Sequence, residues 1–252
     1  MLLVTIGGLI FEGAWRPEWA GARFEIARGG LTGWWDAAPI VARNQNREGA
    51  PGEFDVEEFA GGRTITLRGR IRAPRFERAY QAKVLAGLNG QRLRVVVTDE
   101  DGSTWAWARV RDVSIPRQSA GHHPTFAITM RAADPFKYGE QQSFVSSGSN
   151  VDAHHRGNTA AVPQFTVTAT SNMTAGYQLI GAGRTFVVPG PLNVGQTDKV
   201  DYRTGTVRRN GSIATGVTPR TFTVPGGALV PWRINPLSGA GTATMHLTDT
   251  YA

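Results

Sequence analysis

The chain of 252 residues contains no cysteine. This absence excludes a disulfide framework, a thiolate nucleophile, an iron–sulfur cluster and any zinc site built on thiolates. The sequence also has no apolar run close to the roughly 20 residues that a membrane-spanning helix needs. Its apolar beginning, Met1–Phe11, lacks the basic region and the cleavage site of a signal peptide, and is interpreted as a strand with a Gly-Gly break. We therefore expect a soluble protein without membrane insertion.

Motifs of catalysis are missing as well. The sequence has no nucleophile elbow, P-loop, dinucleotide fingerprint or HExxH zinc motif. Two adjacent histidine pairs, His122–His123 and His154–His155, are poor metal ligands because neighbouring residues of an extended chain point in opposite directions. The acidic Asp99–Gly102 segment is too short for a calcium loop and is typical of a hairpin turn. We expect no catalytic, cofactor-binding or metal-ligating residue, and we predict that the protein is not an enzyme.

Glycine and proline are abundant, at 31 and 14 residues, and the chain carries a net charge of +7 with nearly all cations supplied by arginine. The glycine and proline content favours many turns and short strands, and arginine favours planar ion pairs over point charges. The densest basic run is Arg68, Arg70 and Arg72, which alternate with apolar residues and so line one face of a strand. We interpret this face as solvated or facing another subunit rather than as a nucleic-acid contact.

The first half of the chain is predicted to contain strands and one helix. In residues 63–71 the apolar positions alternate with polar ones, which places Ile65, Leu67 and Ile71 on the core side of a strand. A helix is predicted over residues 75–88, and it is expected to pack on a sheet through a stripe formed by Phe76, Tyr80, Val84 and Leu88 and widened by Ala79 and Leu85. Trp105 and Trp107 share a strand face with Arg109, an arrangement more typical of a core or an interface than of a ligand site.

The second half is predicted to be entirely β. Phe165, Val167 and Ala169 alternate with polar residues, and turn signals such as Asn210-Gly211 recur every 8–15 residues, roughly the spacing of a sandwich. We divide the chain into a first domain at residues 1–140, a polar linker at 141–156 and a second domain at 157–252. The fold class is mainly β, with a sandwich-like first domain that carries one α-helix and an all-β sandwich as the second.

The order of these segments resembles one known family. An arginine-led strand at Arg63–Gly69, a helix, a hairpin and a strand ending in Ala133–Tyr138 are followed by a sandwich that opens with Gly157-Asn158 and Pro163. The sequence is similar in this respect to the distal tail proteins of long-tailed, non-contractile bacteriophages. The resemblance covers nearly the whole chain.

The resemblance implies a structural virion protein at the tail tip, assembled in the cytoplasm of the host bacterium. Its first domain would form a ring, usually of six copies, on the tail tube and around the channel for the tape-measure protein and the genome, which would pass without specific DNA binding. Its second, galectin-like domain would attach the baseplate hub, fibres or receptor-binding proteins. No cofactor is implied. Candidate intersubunit contacts are an arm at residues 44–60 and the strand end before the linker, with the residues Phe54, Arg63, Arg68, Arg70, Asp134 and Pro135.

Two other classes of function stay open at the level of sequence. One is a carbohydrate-binding β-sandwich that uses an exposed Trp232 or Tyr202 as a platform for sugar rings. The other is a tail enzyme that degrades the cell wall, for which no motif is present.

Overall fold

The structure, a computed structural model, describes residues 2–13, 23–41, 45–47, 51, 53–54, 59–116, 123–218 and 220–252. At residues 23, 45, 46, 53 and 54 it describes the backbone only. The chain divides into two compact units, Met1–Lys137 with the terminal Ala252, and Tyr138–Tyr251. No helix in the described ranges is long and apolar enough to cross a membrane.

Eleven strands and one helix make up the described part of the first unit. They are β1 (Leu3–Ile6), β2 (Leu9–Glu12), β3 (Arg23–Thr32), β4 (Ile40–Val41), β5 (Gln45–Asn46), β6 (Glu53–Phe54), β7 (Phe59–Ala60), β8 (Arg63–Arg72), α1 (Arg78–Ala86), β9 (Arg92–Thr98), β10 (Ser103–Ser114) and β11 (Thr125–Ala132).

Seven of these strands close into a barrel, in the order β11-β8-β3-β2-β1-β9-β10 with β10 pairing back to β11. All neighbours are antiparallel except β2 and β3. Closure removes the free edges that an open sheet would expose. The turn between β1 and β2 is Gly7-Gly8, and both glycines have positive φ, at 56° and 86°. A tight hairpin turn of this kind requires that conformation, so the predicted Gly-Gly break is a hairpin turn.

The core of the barrel comes from the alternation along each strand. Ile65, Leu67 and Ile71 of β8 are fully buried, as the alternating pattern predicts. Phe11 and Phe24 pack with ring centroids 5.1 Å apart, and the ring of Phe126 meets that of Phe11 edge-on at 5.6 Å. The remaining apolar core of this unit includes Val4, Ile6, Ile26, Leu31, Trp34, Val95, Val97, Val110, Ile128 and Met130.

The helix α1 is confirmed, but only the C-terminal part of the predicted stripe is buried. Phe76 lies before the helix begins and is 82% exposed, and Tyr80 on its first turn is 66% exposed. The residues that reach the core are Leu85 and Leu88, both buried. The helix is shorter than expected and begins at Arg78, so its packed face is set by the last turn rather than by the four-residue repeat that starts at Phe76.

The arm expected at residues 44–60 is described only in part. Its described pieces are short strands, with β5 paired to β6 and β7 paired to β4. Phe54 lies in β6, and its side chain is outside what the structure describes.

The second unit contains only strands among its described residues. They are β12 (Lys137–Val145), β13 (Asn150–His154), β14 (Gln164–Ala169), β15 (Tyr177–Gly181), β16 (Arg184–Val188), β17 (Thr197–Asp201), β18 (Thr206–Arg209), β19 (Ser212–Ile213), β20 (Leu229–Pro236) and β21 (Gly241–Tyr251).

Two sheets form this unit, one in the order β12-β21-β14-β17-β18-β19 and the other in the order β13-β20-β15-β16. Their inner faces share one apolar core, which makes the unit a sandwich. The predicted inward residues Phe165, Val167 and Ala169 are buried. The turn at Asn210-Gly211 has positive φ at both residues and joins β18 to β19.

The segment at residues 141–156, expected as a linker, instead carries most of β12 and all of β13. Val151 and Ala153 of β13 are buried in the sandwich core, and β13 pairs with β20 along its whole length. Its serines, asparagine and glycine suggested a linker, but alternate burial of two small apolar side chains is enough to make it an edge strand.

A buried ion pair lies inside the sandwich. The carboxylate of Asp198 is fully buried and accepts hydrogen bonds from Arg209 Nε at 2.9 Å and Nη2 at 2.8 Å. The hydroxyl of Tyr177 donates to the same carboxylate at 3.1 Å. Burial and the adjacent Asp198 raise the pKa of Tyr177. The hydrogen bond to Asp198 raises the pKa of Arg209.

Candidate interaction surfaces

The side chain of Arg63 points into the interior of the first unit. It is 2% exposed, and its guanidinium donates to the carbonyl oxygens of Pro135 at 2.9 Å and Trp34 at 2.8 Å. Two further carbonyls, of Gly33 and Asp36, accept at 3.3 and 3.1 Å. Burial lowers the pKa of Arg63, but the guanidinium of an arginine stays protonated in proteins. These contacts give Arg63 an internal role, holding the segment after β3 against the end of β11.

Lys137 stands beside this guanidinium. Its ammonium group donates to the carbonyl oxygen of Trp34 at 3.1 Å, the same oxygen that Arg63 binds. Burial lowers the pKa of Lys137, and the positive charge of Arg63 lowers it further. Two cations therefore converge on one buried carbonyl oxygen, which the sequence does not indicate because Arg63 and Lys137 are far apart in the chain.

The other predicted contact residues lie at the surface. Arg68 and Arg70 of β8 are exposed, and Arg70 donates to Glu25 of β3 at 2.8 Å. Arg72 makes a second ion pair with the same carboxylate. Asp134 is exposed and Pro135 is half-buried, and an oxygen of Asp134 accepts from the backbone of Phe136 at 3.0 Å. The structure of one chain brings Pro135 to Arg63 but does not gather these surface residues into one patch.

The outer face of β9 and β10 carries a ladder of arginine and tryptophan. The guanidinium of Arg94 lies 4.4 Å from the ring centroid of Trp105, and that of Arg92 lies 5.2 Å from the ring of Trp107. Such cation–π contacts hold both partners in place. Trp107 remains 44% exposed. The tryptophan pair is thus part of a surface rather than of the core.

Beyond this ladder three arginines stand side by side across neighbouring strands. Arg92 of β9 is paired with Arg109 of β10, and Arg109 is paired with Arg131 of β11. All three side chains are exposed. We call Arg92, Arg109 and Arg131 the arginine row. The sequence shows each as an outward strand position, but only the strand register places them together.

The second unit has two clefts. One, of about 490 Å³, lies on polar side chains that include Gln141, Lys199, Arg208 and His246. The other, of about 380 Å³, is lined by Arg184, Arg220 and an aromatic wall. His246 is already held by Ser143 Oγ at 2.9 Å and Thr166 Oγ1 at 3.0 Å.

The expectation that Trp232 or Tyr202 forms an exposed sugar platform is wrong. The two residues are 3% and 2% exposed. They lie inside an aromatic cluster, with Trp232 at 5.0 Å from Phe165 and 5.5 Å from Tyr202. The indole nitrogen of Trp232 and the hydroxyl of Tyr202 are buried and have no hydrogen-bond partner among the residues that the structure describes. Trp232 points inward because of the alternation along β20, and Tyr202 occupies a core position just after β17. These positions bury both side chains despite their amphipathic character.

The histidine pairs behave as the extended chain suggests. His155 is fully buried. Its Nδ1 lies 2.9 Å from the carbonyl oxygen of Pro225, and its Nε2 accepts from the backbone of Thr250 at 3.1 Å. His154 is exposed on the opposite side. His122 lies outside the described residues. Within the described ranges no group of three or more histidine, aspartate or glutamate side chains could hold a metal ion.

The described residues thus define a two-unit β protein, a closed barrel with one helix and a two-sheet sandwich. This is the fold of the Dit protein of phage SPP1, described as a paradigm of the hub adsorption apparatus in phages that infect Gram-positive bacteria. The two chains superpose with a TM-score of 0.74 over 100% of each, at 11% sequence identity. The resemblance to distal tail proteins is therefore confirmed at the level of the fold.

Other comparisons are weaker. A chain of the phage P2 baseplate in its activated conformation with calcium is similar with a TM-score of 0.46 and 8% identity, over 99% of this chain and 98% of that one. This likeness is too weak to establish a common fold. No protein-family model matches the sequence, and no curated protein is similar to it in sequence.

Proposed function

We propose that this chain is a structural protein of the tail tip of a long-tailed, non-contractile bacteriophage. The observation that carries the proposal is the likeness to the SPP1 Dit protein over the whole of both chains. A shared fold does not by itself give a shared function. The surface of the first unit adds independent support, because an exposed face of arginine and tryptophan is typical of protein interfaces.

In this proposal the first unit forms a ring, of six copies, that stacks on the tail tube and surrounds the channel for the tape-measure protein and the genome. The second unit attaches the baseplate hub, fibres or receptor-binding proteins. The ring is a heterologous contact repeated by rotation until it closes. The exposed residues Arg68, Arg70 and Asp134 belong to the surface available to neighbouring subunits. DNA passes through the channel without specific binding, and the protein acts in the virion after assembly in the bacterial cytoplasm.

Degradation of the cell wall is not favoured by any observation on the described residues. For carbohydrate binding, Tyr202 and Trp232 contribute to the lining of the second cleft, but neither offers an exposed ring. The two aromatic residues expected to form a sugar platform are buried in the sandwich core.

Light scattering of the purified full-length protein at several concentrations tests the proposal. A discrete species with the mass of one ring, or of two stacked rings, is expected. A monomer at every concentration would contradict it.

A further inference from the structure

We propose that the arginine row binds the acidic turn at the other end of the same hairpin in a second copy of this chain. The acidic turn is Asp99, Glu100 and Asp101, which joins β9 to β10. This inference rests on the ring proposed above and names the contact that would close it.

Among the residues that the structure describes, no carboxylate forms an ion pair with the arginine row. Arg109 donates to the carbonyl oxygen of Gly90 at 2.8 Å, Arg131 donates to the hydroxyl of Thr64 at 3.1 Å, and Arg92 lies over Trp107. All of these partners are neutral. The ion pairs that Glu25 and Asp198 form with Arg70, Arg72 and Arg209 do not involve the row.

Like charges directly opposite each other on neighbouring strands are unfavourable, because their Cβ atoms stand only about 5 Å apart. The nearest carboxylate in register is Asp112, which pairs with Thr129 and therefore lies diagonal to Arg131. It forms no ion pair with the row. Three guanidinium groups held in one line, each with N–H donors left over, are a site for carboxylates supplied from outside the chain.

The acidic turn carries three carboxylates at the tip of the β9–β10 hairpin. Asp99 accepts from the indole of Trp35 at 3.2 Å and from the backbone of Asp101 at 3.0 Å, so the turn is held in shape. Glu100 and Asp101 are exposed. The charges of the turn match those of the row in number and are opposite in sign.

The two clusters cannot neutralise each other within one copy. Arg92 begins β9 and Asp99 follows its end, a separation of roughly 20 Å at the rise of an extended strand. That is about twice the screening length in physiological salt. A hairpin that is basic at one end and acidic at the other satisfies both ends when copies associate head to tail. Head-to-tail contacts of one kind generate a closed ring when the rotation between copies is right.

A protein surface fits this face better than a nucleic acid does. Single-stranded nucleic acids use arginine together with aromatic rings on which bases stack. Here the rings of Trp105 and Trp107 are already covered by the guanidinium groups of Arg94 and Arg92. Arginine and tryptophan held in this way are the residues that dominate protein–protein contacts.

The test is a charge-reversal cycle on the full-length protein, with mass measured by light scattering in about 150 mM salt. R109E/R131E makes the row acidic, and E100R/D101R makes the turn basic. Each variant alone is expected to lose the ring-sized species or to need at least about tenfold more protein to form it. The variant that carries all four changes, and an equimolar mixture of the two double variants, are both expected to regain it.

The matched control is R203E/R208E, which reverses two exposed arginines of the second unit and leaves assembly unchanged. Circular dichroism of each variant establishes that it is folded. If R109E/R131E assembles like the wild type, or if the fourfold variant fails to recover while both double variants stay folded, the contact is wrong, and the proposed ring is not contradicted by that result. If the wild type is a monomer throughout, the ring and this contact are both contradicted.

A second experiment tests whether the arginine row binds nucleic acid instead. Fluorescence anisotropy of a labelled duplex DNA oligonucleotide is expected to be the same with wild type and with R109E/R131E. Binding of the duplex that R109E/R131E abolishes, while its assembly is intact, would assign the row to phosphates instead.

Discussion

Arginine supplies nearly all of the positive charge in this chain, and its side chains occupy three kinds of environment. Arg63 is buried among backbone carbonyls, Arg209 is bonded to a buried carboxylate, and the arginine row is exposed without a carboxylate. The planar fork of donors explains the first two, since a lysine ammonium cannot serve several acceptors in different directions. In the third environment, that of the arginine row, a carboxylate from a second molecule would supply the missing ion-pair partner.

Replacement of Arg63 tests its role as a brace. Arg63→Met removes a donor from each of four carbonyl oxygens, although the carbonyl oxygen of Trp34 still accepts from Lys137. This substitution is expected to lower the free energy of unfolding by about 3 kcal/mol. Arg63→Lys is expected to cost about 2 kcal/mol because one ammonium reaches fewer acceptors. Urea unfolding followed by tryptophan fluorescence reports on the first unit, since all tryptophans but Trp232 lie within it.

The control for this series is Arg68→Lys on the same strand, at an exposed position, with an expected change within about 0.5 kcal/mol. If Arg63→Lys and Arg68→Lys lower the free energy of unfolding equally, the buried contacts of Arg63 do not stabilise the fold.

Glu25 gives the barrel a dependence on pH. Burial acts to raise the pKa of Glu25, but hydrogen bonds from Arg72 and Arg70 and their charges outweigh it and leave the pKa below its usual value of 4.5. A carboxylate whose pKa is lowered on folding stabilises the folded state above its unfolded pKa, and this contribution is lost as the pH falls through the lower folded pKa.

We therefore expect the stability difference between wild type and Glu25→Gln to favour the wild type at neutral pH and to shrink as the pH falls below 4.5. Denaturant unfolding of both proteins across that range measures it. A difference independent of pH would show that the ion pairs with Arg70 and Arg72 do not contribute.

Two buried tyrosines in the sandwich make opposite predictions. The hydroxyl of Tyr202 has no hydrogen-bond partner, so Tyr202→Phe removes an unpaired polar group and is expected to raise the free energy of unfolding by about 1 kcal/mol. The hydroxyl of Tyr177 donates to Asp198, so Tyr177→Phe is expected to lower it by about 2 kcal/mol. Calorimetry of the two variants decides the signs, and destabilisation by Tyr202→Phe would mean that its hydroxyl has a partner.

At the scale of elements, the strands were predictable, and the helix face was predictable only toward its C-terminal end. The alternation in β8 and β14 placed their buried residues correctly because a strand has only two faces, and every second residue must point inward. The four-residue repeat of Phe76 and Tyr80 suggested a buried stripe. A nine-residue helix has room for only one packed turn, and the sheet beneath it selected Leu85 and Leu88.

The corrected helix face makes a prediction about stability. Leu85→Ala is expected to lower the free energy of unfolding by about 3 kcal/mol because Leu85 is fully buried in the barrel core. Phe76→Ser and Tyr80→Ser are expected to change it by less than about 0.5 kcal/mol because both side chains are exposed. Urea unfolding of the three variants compares them. A large loss at Phe76 or Tyr80 would restore the original stripe.

At the scale of the whole molecule, the order of strands, helix and hairpin carried the resemblance to phage distal tail proteins, and the fold agrees with it. The arginine row was beyond the sequence because it depends on which residues stand opposite each other. That register is set by strand pairing over gaps of 17 and 22 residues, from Arg92 to Arg109 and from Arg109 to Arg131. The burial of Trp232 and Tyr202 likewise depended on long-range packing.

Electron microscopy of the purified full-length protein in negative stain shows directly whether the chain assembles into a closed ring. We expect class averages of closed rings with a central channel and one copy number. Isolated monomers, or open filaments in which the head-to-tail contact does not close, would contradict the proposed ring.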